Sequence, residues 1–145
     1  MSGPAVATHG EMICELDALD RWGEALGASL AAPALVTLRG DLGTGKTTLA
    51  RAICRGLGVT EAVTSPTFAI VHQHSGTRGR VFHLDLYRIA SPRELVHIAW
   101  DETVGSNAVT LVEWPDRAGT ALPVPDVAIA LSHIPGDPGR RRLVW

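Results

Sequence analysis

The sequence has little that would build a disulfide framework, a metal cluster or a membrane segment. Its only cysteines are Cys14 and Cys54, which lack metal-site spacing, so we expect two small core thiols in a reducing compartment. No apolar run reaches the roughly 20 residues of a transmembrane helix. The first ten residues lack the basic and apolar regions of a signal peptide. These absences predict a soluble, cytoplasmic protein.

The charge balance, the composition and the length limit which classes of protein the sequence can belong to. The chain has 13 basic and 15 acidic residues and a pI near 6.3, so it offers no bulk basic surface for nonspecific nucleic-acid binding. A hydrophobic content of 46% excludes a wholly disordered chain. Because no internal repeat or linker divides the sequence, residues 1–145 are predicted to form a single domain with one core.

One stretch carries a phosphate-binding pattern. Gly40-Asp41-Leu42-Gly43-Thr44-Gly45-Lys46-Thr47 matches G-x-x-x-x-G-K-[ST] without a mismatch. The apolar run Ala34–Leu38 before it predicts a buried strand, and apolar residues at helical spacing after it predict a helix that ends near Gly58. Strand, glycine loop and helix are the context in which this pattern marks a nucleotide site rather than a glycine-rich turn.

The residue types of this stretch suit the chemistry of a triphosphate. Glycines let the backbone wrap tightly enough to aim several N–H groups at one anion, and the following helix adds its positive dipole end. Lys46 would bring a point charge to the outer phosphates, and the Thr47 hydroxyl is a hard oxygen ligand for Mg²⁺. The loop therefore predicts binding of a magnesium–nucleotide complex.

Two acidic residues end predicted strands. The run Val81–Leu86 contains Asp85 near its end, and the run Ala108–Val112 is followed by Glu113. Ligands of parallel-sheet α/β proteins lie beyond the carboxyl ends of the strands. Both acids are therefore candidates to hold Mg²⁺ or to orient an attacking water, and their spacing does not decide which does which.

Two further stretches stay open between alternatives. Ser65-Pro66-Thr67 reads as a stiffened loop at a strand end, which is either a nucleotide-sensing switch or an ordinary turn. His72 and His74 share one face of a predicted strand, and His83 follows across a hairpin through Ser75–Gly79. Three histidines could bind zinc, but no fourth ligand is evident, which favours solvent-facing or core histidines.

The flanking segments carry conventional signals. Asp17 is predicted to be the N-cap of a first helix, and Ser91-Pro92-Arg93-Glu94 has the pattern of a capping box. A turn is predicted at Pro135–Gly139. The run Arg140–Arg142 is interpreted as a solvated guard on an edge strand, with RNA contact as the alternative.

Four blocks of the sequence occur in the order and near the spacing of one family. They are Gly40–Thr48, Ser65–Thr67, His83–Arg88 and Leu111–Pro115. Together they resemble the TsaE family, the small bacterial ATPase of the tRNA threonylcarbamoyladenosine machinery, over about Glu11 to Arg140. The third and fourth blocks carry most of this resemblance, because many families share the phosphate loop.

The resemblance implies a fold, an activity and partners. The implied fold is a P-loop NTPase-like three-layer α/β domain with a mostly parallel, about seven-stranded sheet. The implied activity is binding of ATP and Mg²⁺ with weak hydrolysis by the protein alone. The implied partners are the threonylcarbamoyl-transferase subunit and its pseudo-enzyme companion, which form N6-threonylcarbamoyladenosine next to the anticodon; contact with tRNA is expected to be indirect, and no membrane is involved.

The resemblance also assigns roles to residues that match its motifs. The implied catalytic residues are Lys46, Asp85 and Glu113, and the implied metal ligands are Thr47, Asp85 and Glu113. Ser65-Pro66-Thr67 becomes a switch-like loop. The residues implied to contact the nucleotide are Asp41, Leu42, Gly43, Thr44, Gly45, Lys46, Thr47, Thr48 and Trp114.

Two other functions fit the same loop. A small-molecule kinase would need an arginine-bearing lid to shield phosphoryl transfer from water, and the hairpin with Arg78 and Arg80 is its only mid-chain candidate. A nucleotide-dependent interaction module would bind ATP without useful hydrolysis, so it would depend on Lys46 and not on Glu113.

Overall fold

The computed structural model describes residues 9–61, 71–98, 100–104 and 106–145. These residues contain seven strands, three α-helices and two 3₁₀ helices, Pro92–Ile98 and Pro115–Ala121. The strands are β1 (Glu11–Glu15), β2 (Ala34–Arg39), β3 (Val71–Gly76), β4 (Gly79–Asp85), β5 (Val109–Glu113), β6 (Val127–Ile134) and β7 (Asp137–Val144). The α-helices are α1 (Leu16–Ser29), α2 (Lys46–Gly56) and α3 (Trp100–Val104).

The seven strands form one sheet in the order β1-β7-β6-β2-β5-β4-β3. The pairs β2–β5, β2–β6 and β4–β5 are parallel, whereas β1–β7, β6–β7 and β3–β4 are antiparallel. The strand number confirms the expectation, but the expectation of a mostly parallel sheet is wrong, because the sheet is mixed. The short connections β3–β4 and β6–β7 are too tight for a crossover and require antiparallel neighbours.

The central strands β2 and β5 are buried along almost their whole length. Every residue of β5 is buried, and β2 is buried from Ala34 to Leu38. A strand covered on both faces needs apolar side chains pointing both ways, which explains two continuous apolar runs without alternation. These runs confirm both predicted central strands and place their carboxyl ends side by side.

Helices α1 and α2 pack together on one face of the sheet. A Cβ on Gly27 would lie 2.1 Å from the Ile53 carbonyl oxygen, and one on Gly56 would lie 2.1 Å from that of Glu24. The two backbones therefore touch, which only glycine permits. The prediction of Asp17 as N-cap is wrong: β1 runs directly into α1, so Glu15 is the N-cap and Asp17 lies in the first turn.

The opposite face is covered by the shorter helical segments. The predicted capping box is confirmed at the start of Pro92–Ile98, because Glu94 accepts a hydrogen bond from the Ser91 N–H at 3.0 Å. The Arg93 N–H donates to the Ser91 hydroxyl at 3.3 Å. The segment is a 3₁₀ helix rather than the α-helix its caps suggest. In the described ranges, no helix has the length and hydropathy required to cross a bilayer.

Candidate functional site

The glycine loop joins the carboxyl end of β2 to the first turn of α2. Gly40, Gly43 and Gly45 have φ values of 151°, 78° and 105°, which residues with a Cβ rarely adopt. A Cβ on Gly40 would also lie 2.7 Å from the Leu131 carbonyl oxygen and from the Thr44 hydroxyl. The loop conformation therefore depends on glycine at these positions.

Hydrogen bonds within the loop keep it tightly wound. The Thr44 hydroxyl donates to the Asp41 carbonyl at 2.9 Å, and the Lys46 ammonium donates to the carbonyls of Gly40 at 2.5 Å and Asp41 at 2.9 Å. Lys46 is only 5% exposed, although lysine is usually at the surface. The cation thus lies folded over its own loop, within reach of anything the loop binds.

Burial and nearby acids act on Lys46 in opposite directions. Burial lowers the pKa of Lys46 from its ordinary value, because the charged form loses hydration. The carboxylates of Glu113, Asp85 and Asp41 raise it, in decreasing order of effect. The first turn of α2, Lys46-Thr47-Thr48, holds no acidic side chain, so its N–H groups and dipole remain suited to an anion.

The two predicted acids lie next to each other. Asp85 and Glu113 are paired in the register of β4 and β5, so both side chains project from the same edge and face of the sheet. Glu113 is 2% exposed and accepts hydrogen bonds from the Thr47 hydroxyl at 3.2 and 3.5 Å. The structure therefore brings the loop, the first turn of α2 and both acids together.

His83 lies in the site beside Glu113, whereas the sequence pattern indicates only a possible zinc ligand or a core or solvent-facing histidine. It is fully buried, and its Nε2 lies 2.5 Å from a Glu113 carboxylate oxygen. His74 is bound elsewhere, with Nδ1 at 2.8 Å from a Glu61 oxygen. The described part of the chain holds no cluster of three or more His, Cys, Asp or Glu side chains placed for a metal ion. The sequence carries a weak indication that His83 belongs to the site, because it precedes Asp85 by two residues and therefore shares its face of the strand.

Aromatic rings form one wall of the site. Trp114 has φ 57° and ψ 53°, a left-handed conformation that costs a non-glycine residue about 1–3 kcal/mol. This turn sets the indole ring centroid 4.5 Å from the Lys46 Nζ and 4.9 Å from the Tyr87 ring centroid. The Arg117 guanidinium lies 5.6 Å from the Tyr87 ring. Tyr87 and Arg117 were not predicted as site residues.

These groups enclose a cleft of about 370 Å³. It is lined by Leu42, Gly43, Gly45, Lys46, Thr47, Thr48, Asp85, Tyr87, Glu113 and Trp114. The lining holds all residues predicted to contact the nucleotide except Asp41 and Thr44. Thr44 is buried and bonds the loop itself, and Asp41 is exposed outside the cleft. Ser65-Pro66-Thr67 lies outside the described residues.

The hairpin considered as a kinase lid contacts the C-terminal ends of α1 and α2. The Arg78 guanidinium donates to the carbonyls of Gly27, Ala28 and Leu30 at 3.0, 2.5 and 2.7 Å, so it closes the C-terminal end of α1. Its neighbour Thr77 bonds Gly58, just beyond the end of α2. The hairpin is therefore separated from the glycine loop by the length of α2, about 16 Å.

The fold and site define a class: a mixed α/β protein with a glycine loop between a central strand and a helix, and acids at two adjacent strand ends. The family described as "Threonylcarbamoyl adenosine biosynthesis protein TsaE" matches residues 13–142. The chain belongs to the TsaE family, as the sequence blocks had indicated.

Curated relatives and a solved structure agree with this assignment. A protein of Synechocystis is 38% identical over 71% of this chain and 68% of its own length, and one of Treponema pallidum is 37% identical over 77% and 82%. Both are named "tRNA threonylcarbamoyladenosine biosynthesis protein TsaE". The crystal structure of YdiB from Bacillus subtilis has a TM-score of 0.71 at 28% identity, covering 96% of this chain and 86% of that one.

Proposed function

We propose that the chain is a Mg²⁺-dependent ATP-binding protein with slow intrinsic ATPase activity, and that it acts in forming N6-threonylcarbamoyladenosine in tRNA. The observation that carries the proposal is the contact between Thr47 and the buried Glu113, directly beside the glycine loop and Lys46. Hydroxyl, carboxylate, ammonium and backbone amides are the groups that a magnesium triphosphate requires. On this basis the single domain is of the P-loop NTPase type.

The residues present fit ATP and Mg²⁺. Gly43 lines the cleft, and a Cβ there would meet nothing within 4 Å, so there is open space beside the loop. Thr47 and Glu113, with Asp85 beside them, would hold Mg²⁺ through hard oxygen atoms. The ion would neutralise charge on the phosphates and polarise the bond to be broken. Lys46 already bonds two loop carbonyls and would exchange these for phosphate oxygens.

The chain's own groups also account for slow turnover. The carboxylates of Asp85 and Glu113 lie at the cleft, where either would orient a water, and Trp114 and Tyr87 shield one side of the cleft from bulk solvent. Among the described residues that line the cleft, none is an arginine. Lys46 is the cation of this lining, and the exposed Arg117 guanidinium lies against the aromatic wall, 5.9 Å from the Trp114 ring, so we expect weak catalysis until a partner adds to the site.

The partners we propose are those implied by the family, the threonylcarbamoyl-transferase subunit and its pseudo-enzyme companion, in the cytoplasm. The names of the relatives support this pathway. Contact with tRNA is proposed to be indirect. Arg140 and Arg142, the outward members of the terminal arginine run, are paired with Asp137 and Glu11, and the net charge is −2.

The proposal is tested by ATP binding and hydrolysis with purified protein. Wild type should release heat with MgATP in calorimetry, and Lys46→Met should weaken binding by about a hundredfold or more. Arg55→Met is the matched control, because Arg55 is a cation at the opposite end of α2, paired with Asp20 and Glu24. Adding the two partners should raise hydrolysis. Wild type that binds no MgATP would overturn the proposal.

A further inference from the structure

The arginine run Arg140–Arg142 does not guard an edge strand as predicted, because β7 is paired with β1 on one side and with β6 on the other. The Arg140 Nε bonds an Asp137 oxygen at 2.6 Å, and the Arg142 Nη2 bonds a Glu11 oxygen at 2.8 Å; both pairs lie at the surface. Arg141 differs, because its Nε donates to the Thr44 carbonyl at 3.1 Å and its Nη2 to the Gly43 carbonyl at 3.3 Å. One member of the run therefore reaches the glycine loop.

Strand alternation explains why only the middle arginine does so. Successive side chains of β7 point to opposite faces, so Arg141 shares the face of Leu143, which is buried in the core beneath α1 and α2. The remaining donor, Nη1, bonds the carbonyls of Pro138 at 2.8 Å and Arg140 at 2.9 Å. The guanidinium is thus fixed to its own strand on one side and to the loop on the other.

The adjacent strand β6 supports the same side of the loop. The Leu131 carbonyl packs against Gly40, where a Cβ would lie 2.7 Å from its oxygen. The His133 Nε2 lies 3.4 Å from the Leu42 carbonyl oxygen. The hairpin of β6 and β7 therefore contacts the loop at residues 40 and 42–44, and its contacting residues are not part of the cleft lining.

We propose that Arg141 is a positioning residue of the nucleotide site: its forked hydrogen bonds to the Gly43 and Thr44 carbonyls hold the phosphate loop in its binding conformation. The inference rests on the function proposed above. In a trans peptide the N–H points opposite to the carbonyl, so fixing the Thr44 carbonyl outward turns the Gly45 N–H inward, where Gly45 lines the cleft. A loop ordered before binding loses less conformational entropy when the anion arrives.

The run supplies its own matched controls. The full chain is titrated with a non-hydrolysable ATP analogue and Mg²⁺ after each of Arg140→Met, Arg141→Met and Arg142→Met. Each variant loses one positive charge from the same strand, but only Arg141→Met removes bonds to the loop. We expect about tenfold weaker binding for Arg141→Met and less than about twofold change for the other two.

A second measurement does not depend on nucleotide. Amide hydrogen exchange of residues 40–45 in the ligand-free protein should accelerate about tenfold or more in Arg141→Met and stay unchanged in both controls. Arg141→Lys keeps the charge but not the fork, so it should restore little of the affinity. Arg141→Gln serves if Arg141→Met does not fold.

Three results would overturn this inference: equal weakening by all three Met variants, full recovery with Arg141→Lys, or unchanged loop exchange in Arg141→Met. The first two would make Arg141 a source of general positive charge. Failure of wild type to bind the analogue would instead overturn the proposed nucleotide function, and the loop exchange would still decide whether Arg141 orders the loop.

Discussion

The ends of β4 and β5 carry the same chemistry in two different environments. Asp85 and Glu113 are register partners on adjacent parallel strands. Glu113 is buried and fixed by Thr47 and His83, whereas Asp85 is half-buried, with Oδ1 accepting a hydrogen bond from the Tyr87 N–H at 3.0 Å. Equivalent positions in a sheet thus have different surroundings, set by what packs against them. We expect Glu113 to serve the metal and Asp85 to orient water.

The strongest test of this difference is Glu113→Gln. The amide keeps the shape but loses the charge next to the Thr47 hydroxyl, so both the Mg²⁺ requirement and the hydrolysis rate should suffer. We expect kcat/KM for ATP to fall by about a thousandfold and the Mg²⁺ concentration for half-maximal rate to rise. The measurement is steady-state hydrolysis over a Mg²⁺ series.

The matched control for Glu113→Gln is Asp116→Asn, an acid three residues later that pairs with Arg39 at the surface. It should leave hydrolysis unchanged.

The competing non-hydrolytic module makes the opposite prediction for tRNA modification. If Glu113→Ala retains full threonylcarbamoyladenosine formation with the partners while Lys46→Ala abolishes it, hydrolysis is not the function.

Asp85→Asn should have the next largest effect and a different signature. If Asp85 orients water, kcat should fall by about a hundredfold while the Mg²⁺ dependence and the affinity for ATP stay near wild type. Rapid mixing with single-turnover analysis separates the chemical step from binding. A raised Mg²⁺ requirement here, with none in Glu113→Gln, would reverse the assigned roles.

His83→Leu tests what holds Glu113 in place. Loss of its bond to Glu113 leaves a buried carboxylate with one partner fewer, and such supporting contacts are worth about 10–100-fold in metal affinity. We expect weaker Mg²⁺-dependent binding of an ATP analogue, with partial recovery in His83→Gln, which retains an N–H donor. His74→Gln, a buried histidine on the neighbouring strand, is the control, and thermal unfolding checks each fold.

The smallest expected effect concerns Lys46, the chain's only lysine, whose ammonium gives a single signal to follow by NMR. Since Glu113 raises the pKa of Lys46 more than Asp85 does, Glu113→Gln should lower that pKa further than Asp85→Asn. Equal pKa changes, or a larger change in Asp85→Asn, would contradict the expectation that Glu113 acts more strongly on Lys46 than Asp85 does.

The sign of the linked stability change follows from the same shift. Burial lowers the pKa of Lys46 in the folded protein below the ordinary value of 10.5. At a pH between the lowered pKa of folded Lys46 and the ordinary pKa of the unfolded chain, the unfolded chain binds more protons than the folded protein. The contribution of Lys46 to the free energy of unfolding therefore rises as pH rises through that window. Denaturant unfolding at several alkaline pH values, compared with Lys46→Met, measures the contribution.

Local pattern was enough to predict the elements that carry the site. The glycine loop, the strand before it and the acids at two strand ends were all predictable, because strand–loop–helix context and strand-end position are local properties. Two of the three antiparallel pairs, β3–β4 and β6–β7, were also predictable, since the turns predicted at Ser75–Gly79 and Pro135–Gly139 are too short for crossovers. The family resemblance implies a mostly parallel sheet, whereas turns of this length join antiparallel neighbours.

Contacts between distant segments could not be predicted in this way. His83 meets Glu113 only through the register of β4 on β5, thirty residues apart in sequence. Arg141 meets Thr44 only because β7 folds back beside β6, between β6 and the edge strand β1. In both cases the partner is fixed by strand order and pairing, which a single sequence does not contain.

The backbone contact between Gly27 and Gly56 affects where the far end of α2 lies. With no side chains between the two backbones at this point, α1 sets the distance of α2 from its neighbours. A side chain at either glycine would push α2 away from α1 and displace its first turn, with Lys46 and Thr47, relative to the two acids.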